Sequence, residues 1–212
     1  MSQNIRNLVW IDLEMTGLDP LQNVILEIAC IITSQDLEVI AQTPSIAINH
    51  SEEVLKKMDA WCVKMHTETG LLDAVKKSSF SLQDAEQHIL HFVKNYCYDD
   101  KSLLCGNSIW FDKFFLRLHM PTLYNFLHYR IIDVSTVKEL IRRWYPNDPQ
   151  ANFKKNNSHK ALEDIQESIA ELKHYKKGED ENIAIPIDVF FIYALLQLMI
   201  INQESQAKIT TI

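Results

Sequence analysis

The first apolar run of the chain, Leu8-Val9-Trp10-Ile11-Asp12-Leu13-Glu14, is broken by two acids two residues apart. Side chains alternate faces along a strand, so Val9, Ile11 and Leu13 share one face and Asp12 and Glu14 the other. The mostly apolar run from 25 to 32 predicts a second strand, joined to the first through the turn-prone Gly17-Leu18-Asp19-Pro20. A short strand is expected at 45–48 and a short helix at 52–58. Ser81 followed by Leu82, Ala85, Ile89, Phe92 and Val93 predicts an amphipathic helix with a serine cap.

Further on, Leu103-Leu104-Cys105 reads as a short buried strand ending at Gly106-Asn107, followed by a helix over 108–119 closed by Pro121. A strand is expected over 130–133, a helix over 134–144, a polar loop over 152–157 and a helix over 158–175 with His159 in its first turn. Strands early, then strands alternating with helices, predict an α/β fold: a mixed β-sheet flanked by helices. The charged stretch 176–181 divides the chain into a domain at 1–177 and an extension at 178–212. Within the extension, residues 187–201 are almost wholly apolar and predict an added C-terminal helix. Such a helix spans about 22 Å, short of the roughly 30 Å hydrocarbon core of a bilayer. A packed or oligomer-burying helix is therefore favoured over a membrane-associated one.

Apolar residues make up 47% of the 212, enough for a sizeable core, and only 4 glycines and 6 prolines argue against a linker-rich chain. The net charge of −7 argues against a broad non-specific polyanion groove. Any contact with nucleic acid should be local and short, or routed through metal ions. Cys30, Cys62, Cys97 and Cys105 form no CxxC pair, which argues against a zinc site. Cys30 and Cys105 lie in apolar runs and fit buried thiols in a reducing compartment. The N-terminus lacks the apolar h-region of a signal peptide.

Two neighbouring carboxylates resist burial unless a cation or proton compensates them. Asp12 and Glu14 therefore mark a candidate divalent-metal site, and Asp112 and Asp164 offer further oxygen ligands on later helices. Four carboxylates can hold two ions roughly 3.5–4 Å apart. His159 has the side chain suited to removing a proton from water, since an unperturbed imidazole titrates at about 6.5. Taken singly, Asp112 and Asp164 also read as solvated helix acids and His159 as an ordinary helix-start residue.

Four stretches in order carry a resemblance. They are Trp10-Ile11-Asp12-Leu13-Glu14-Met15-Thr16-Gly17-Leu18-Asp19, Cys105-Gly106-Asn107-Ser108-Ile109, the run from His128-Tyr129-Arg130 through Asp133 to Leu140, and Ser158-His159-Lys160-Ala161-Leu162-Glu163-Asp164-Ile165. Over residues 6–176 the chain closely resembles the oligoribonuclease family, 3′-to-5′ exoribonucleases of the DEDD superfamily, histidine subtype. The resemblance implies a ribonuclease H-like fold. It implies that Asp12, Glu14, Asp112 and Asp164 bind two Mg²⁺ or Mn²⁺ ions, with His159 as general base. It implies very short RNA substrates, dinucleotides above all, 5′-nucleoside monophosphate products, a cytoplasmic homodimer, and no stable complex with long nucleic acid.

For substrate, the resemblance implies that Leu18 wedges against the bases, that Trp61 stacks or lines the pocket, and that His66 approaches the 5′ phosphate. Ser108, Tyr129, Arg130 and Ser135 would form a phosphate cap, partly supplied by a second subunit. Trp61 also reads as a core aromatic, and Tyr129 and Arg130 as a structural dimer contact. Lys154 and Lys155 offer local attraction for substrate or simply solvate a loop. The chain departs from the family pattern at Trp110 and Phe111, where the bulky Trp110 is expected either to pack inward or to narrow the pocket, and in its added C-terminal residues. Two other functions remain open: an exonuclease acting on DNA ends or longer RNA, and a non-catalytic nucleic-acid-binding protein.

Overall fold

A register of eight paired residues builds the centre of the sheet. Strand β1 (Leu8–Met15) runs antiparallel to β2 (Ile25–Thr33), with Asp12 opposite Ala29 and Glu14 opposite Glu27. The computed structural model describes residues 3–155 and 159–177. β3 (Val39–Gln42) and β4 (Ile46–Ala47) both pair antiparallel with β2, and β5 (Leu104–Gly106) and β6 (Ile131–Asp133) continue the sheet in parallel on the other side of β1. The order is β3-β2-β1-β5-β6, with β4 off this path. This is the expected α/β mixed sheet flanked by helices.

Alternation along β1 works as its sequence implies. Val9, Ile11 and Leu13 are buried on one face against Ile28, Cys30 and Ile32 of β2. Helices α4 (Leu82–Lys94), α5 (Trp110–His119) and α6 (Pro121–Phe126) cover that face through Ala85, Ile89, Val93, Phe115, Leu116 and Leu123. Ser81 caps α4 in a reciprocal capping box with Asp84. Helices α1 (Glu52–Leu55), α2 (Ala60–Glu68) and α3 (Leu71–Lys77) build a second cluster around Leu26. Trp10 is fully buried opposite Val9 and Ile11, and its indole N–H donates to Thr33 Oγ1 at 3.0 Å. All four cysteines are free and buried.

Helix α7 (Val134–Trp144) has the expected bounds, but three other predictions change. Ser108 lies at φ 51, left-handed backbone that cannot continue a helix, so α5 starts at Trp110. Pro121 does more than close α5: it takes the first position of α6, where a missing N–H costs nothing. His159 lies at φ 52, so α8 (Ala161–Lys177) begins after it and His159 is not in a helical turn. Asn152 to Lys155 carries no regular structure, as expected of a loop, and the rest of that loop lies outside the described residues. The described residues up to Lys173 form one compact unit. The extension at 178–212 and its apolar helix at 187–201 lie outside the described residues. Among the described residues no helix is long and apolar enough to cross a membrane.

Candidate active site

β1 presents Asp12 and Glu14 on the face that α8 approaches, and Asp164, in the first turn of α8, meets them there. One oxygen from each of the three carboxylates lies within 4.8 Å of the others. Asp112 comes from the first turn of α5 and is buried, with Oδ1 accepting the Leu13 backbone N–H at 3.0 Å. That bond ties α5 to the acid-bearing strand and brings a fourth charge against Asp12. Burial first, then the charges of Asp112, Glu14, Asp164 and Glu27, raise the Asp12 carboxyl well above its ordinary range. Burial, then Asp164, Glu27 and Asp112, push Glu14 up to about 8, and burial pushes Asp112 to about 7. Carboxyls this close hold protons that a divalent cation would displace. The donor set is entirely carboxylate oxygen, which suits a hard cation.

Glu27 is a fifth acid that the sequence reading missed. It sits opposite Glu14 in the register, and its Oε2 accepts the Ala161 N–H at 3.2 Å, at the start of α8. Burial raises its carboxyl, with the Ala161 N–H working the other way. The available signal was the acid interrupting the apolar run Ile25-Leu26-Glu27-Ile28, the same kind of signal that marked Asp12.

A cavity of about 460 Å³ adjoins the cluster, lined by Glu14, Gly17, Leu18, Trp61 and His66 among others. A Cβ at Gly17 would lie 2.7 Å from Asn23 Oδ1, so the Asn23 side chain, which accepts the Asp19 N–H, would have to move. Asp59 caps α2 by accepting the Cys62 N–H at 2.7 Å, and the helix then turns Trp61 outward and His66 inward. Trp61 is 60% exposed and so is not a core aromatic, and Leu18 is 67% exposed. The His159 ring stands edge-on to Trp61, centroids 6.0 Å apart. His66 is 2% exposed and its Nε2 lies 2.9 Å from Met15 O. A carbonyl only accepts, so Nε2 carries the proton and Nδ1 of the neutral ring is an acceptor. That Nδ1 has no hydrogen-bond partner and lies 3.9 Å from Glu14 Oε2. Burial, the largest influence, holds the imidazole below its ordinary pKa.

Ser108 and Ser135 form a second group. The Ser108 N–H donates to Asp133 Oδ1 at 2.9 Å and to Ser135 Oγ at 2.8 Å, and the two hydroxyls lie 3.1 Å apart. Tyr129, 69% exposed, and Arg130 stand just before β6, with the guanidinium 5.3 Å from the tyrosine ring. The structure thus brings together the four acids, gathers Leu18, Trp61 and His66 around one cavity, and joins Ser108 to Ser135. Trp110 is turned outward, 43% exposed against Phe111 and Phe114, and does not line the cavity. Lys155 pairs with Glu171 at 3.0 Å, so it solvates no loop.

The family model described as exonuclease (RNase T) matches residues 9–172. An oligoribonuclease of Pseudomonas putida is 51% identical over 175 residues, covering 82% of this chain and 97% of that protein. The chain belongs to the oligoribonuclease family. Another member, from Ruthia magnifica, is 52% identical over 170 residues, covering 80% of this chain and 94% of its own. The family makes the chain an exoribonuclease, and divalent metal chemistry fits its acid cluster. Among solved structures, exonuclease I of Methylocaldum szegediense superimposes with TM-score 0.64 at 16% identity, over 84% of this chain and 42% of that one. A zinc-bound exonuclease I–ssDNA complex from E. coli gives TM-score 0.63 at 16% identity, over 93% and 45%. At such identity these structures speak to the fold, and the chain spans less than half of their length.

Proposed function

We propose that the protein removes 5′-nucleoside monophosphates from the 3′ end of very short RNAs, dinucleotides above all. The observation that carries this reading is the meeting of Asp12, Glu14 and Asp164, with Asp112 behind them, beside a cavity large enough for a nucleotide. Two divalent ions, Mg²⁺ or Mn²⁺, held by these four side chains would neutralise charge on the scissile phosphate and lower the pKa of the attacking water. His159 takes the proton from that water. The water oxygen bonds to phosphorus, the bond from phosphorus to the 3′ oxygen of the preceding nucleotide breaks, and that oxygen takes a proton from solvent as it leaves.

Trp61 and Leu18 offer apolar surface to the two bases. The unpartnered Nδ1 of His66 is an acceptor, which suits a sugar hydroxyl better than a phosphate. The 5′ phosphate then falls to Ser108, Ser135 and Arg130, whose guanidinium can grip two oxygens. Tyr129 of a second copy would complete this cap. The exposed stripe Trp110, Phe114 and Leu118 on α5 supports such a homodimer. The expected compartment is the cytoplasm, in keeping with four unpaired thiols.

One second reading is an exonuclease on DNA ends or longer RNA. Rates on RNA and DNA chains of two, five and ten nucleotides, with Mg²⁺ and with chelator, separate the two. The proposal expects the dinucleotide RNA to be cleaved fastest and chelator to stop cleavage. Equal rates at every length would remove the cap from the argument.

A further inference from the structure

Glu171 is the most buried charge described outside the acid cluster: its side chain is 0% exposed, deep on α8. Two ammonium groups meet it, Lys138 Nζ of α7 at 3.1 Å and Lys155 Nζ at 3.0 Å. Lys155 lies four residues before His159. The same carboxylate accepts from Asn107 Nδ2 at 3.1 Å. That nitrogen also donates to Ser168 Oγ at 2.7 Å, and Ser168 Oγ donates to the backbone oxygen of Asp164 at 2.8 Å. On its other side Asn107 accepts, through Oδ1, the Ser135 hydroxyl at 3.1 Å. With its proton directed there, Ser135 Oγ can only accept from the Ser108 N–H and hydroxyl.

One buried carboxylate therefore joins Lys155, the backbone of a metal-binding aspartate at the start of α8, and the hydroxyl pair of the cap. A buried ion pair adds little net stability, because desolvation offsets the attraction, whereas removing one partner is costly. A group of this kind, bonded on all sides, fixes a geometry.

Resting on the function proposed above, we infer that Glu171 is a positioning residue that couples the 5′-phosphate cap to the general base. A terminal phosphate seated on Ser108 and Ser135 would draw the Ser135 hydroxyl proton away from Asn107 Oδ1, and so bear on Asn107, on Glu171 and, through Ser168, on the first turn of α8, where the Asp164 N–H donates to the carbonyl of Lys160, the residue after His159. Dinucleotide preference would then reside partly in turnover: a chain whose 5′ phosphate fits the cap also aligns the base.

The test compares a diribonucleotide with and without its 5′ phosphate, for the wild type, Glu171→Gln, Lys155→Met and the double variant. The 5′ phosphate should accelerate the wild type. Glu171→Gln should lower kcat on the phosphorylated substrate by roughly 10²-fold, the scale of a misplaced catalytic group, and bring the ratio of the two substrates close to 1. The loss should fall on kcat more than on KM. Lys155→Met should do the same in milder form, and the double variant should be no worse than Glu171→Gln, as for two members of one chain of contacts. A substrate ratio kept at the wild-type value in both variants overturns the inference, as does a fully additive double loss. If Glu171→Gln does not fold, Lys155→Met decides alone by the same ratio. A wild type that cleaves neither diribonucleotide would defeat the proposed function first, and this inference with it.

Discussion

Glu27 stands across β1 and β2 from Glu14 and also accepts the backbone N–H of Ala161, the first residue of α8. Like charges directly opposite in a sheet repel, whereas an acceptor at a helix start stabilises. One side chain does both, and substitution separates them. Glu27→Gln keeps an oxygen for the N–H and removes the charge, so it should raise the melting temperature of chelated protein at pH 8. Glu27→Ala loses the acceptor and should cost about 1 kcal/mol. Thermal melts of the two variants beside wild type check this, and equal shifts would refute it.

Stability of the chelated protein should fall as pH rises from about 4 to about 8. Glu14 titrates at about 8 and Asp112 at about 7, with Asp12 and Glu27 also raised, so the folded state holds protons that the unfolded chain has already released. Where the folded state binds more protons, a rise in pH weakens it. Added Mn²⁺ or Mg²⁺ should restore the loss, and by more at pH 8 than at pH 5. Melting curves across that range test the sign. For a chain of this size each kcal/mol moves Tm by about 2–4 °C.

Asp12→Asn should trade activity for stability. Removing a carboxyl whose ionisation is opposed first by burial and then by four neighbouring acids relieves that cost in the chelated protein and raises its Tm. The same change weakens the metal site and should lower hydrolysis by roughly 10³-fold, taking the metal's share of the barrier as several kcal/mol. A variant that is both less stable and fully active would contradict the cluster's role.

His159→Asn should lower kcat by roughly 10²–10⁴-fold with KM much less changed, the signature of a lost general base. Asparagine is the better probe than alanine because His159 lies at φ 52, which asparagine tolerates. Saturation kinetics on a diribonucleotide provide the readout, and unchanged kcat would remove the histidine from the chemistry.

Trp61→Ala should act mainly on binding. An exposed ring beside the cavity offers a stacking face worth about 1–3 kcal/mol per base, which corresponds to roughly 5–150-fold in KM. An unaltered KM would mean that Trp61 meets no base.

Much of this site was legible because acids inside apolar runs are rare and strand alternation fixes their direction. Asp12 and Glu14 could be assigned to one face before any coordinates. What escaped was set by pairing across the chain. Glu27 stood in an apolar run too, but only the β1–β2 register makes it a neighbour of Glu14. α2 was hidden because its apolar residues do not mark a buried stripe: Trp61 and Val63 are exposed while His66 is buried. α3 is too short at 7 residues for periodicity to show. Ser108 and His159 left their predicted helices because of left-handed backbone, which no propensity for serine or histidine announces.

The indole of Trp10, locked to Thr33, bears on more than packing. A slip of one residue between β1 and β2 would carry the indole out of its niche and drive Asp12 and Glu14 in among the isoleucines. Misaligned pairings are thus penalised twice, by a lost aromatic anchor and by stranded charge. A molecule that reaches its native sheet has, by that same event, lined up its reactive carboxylates.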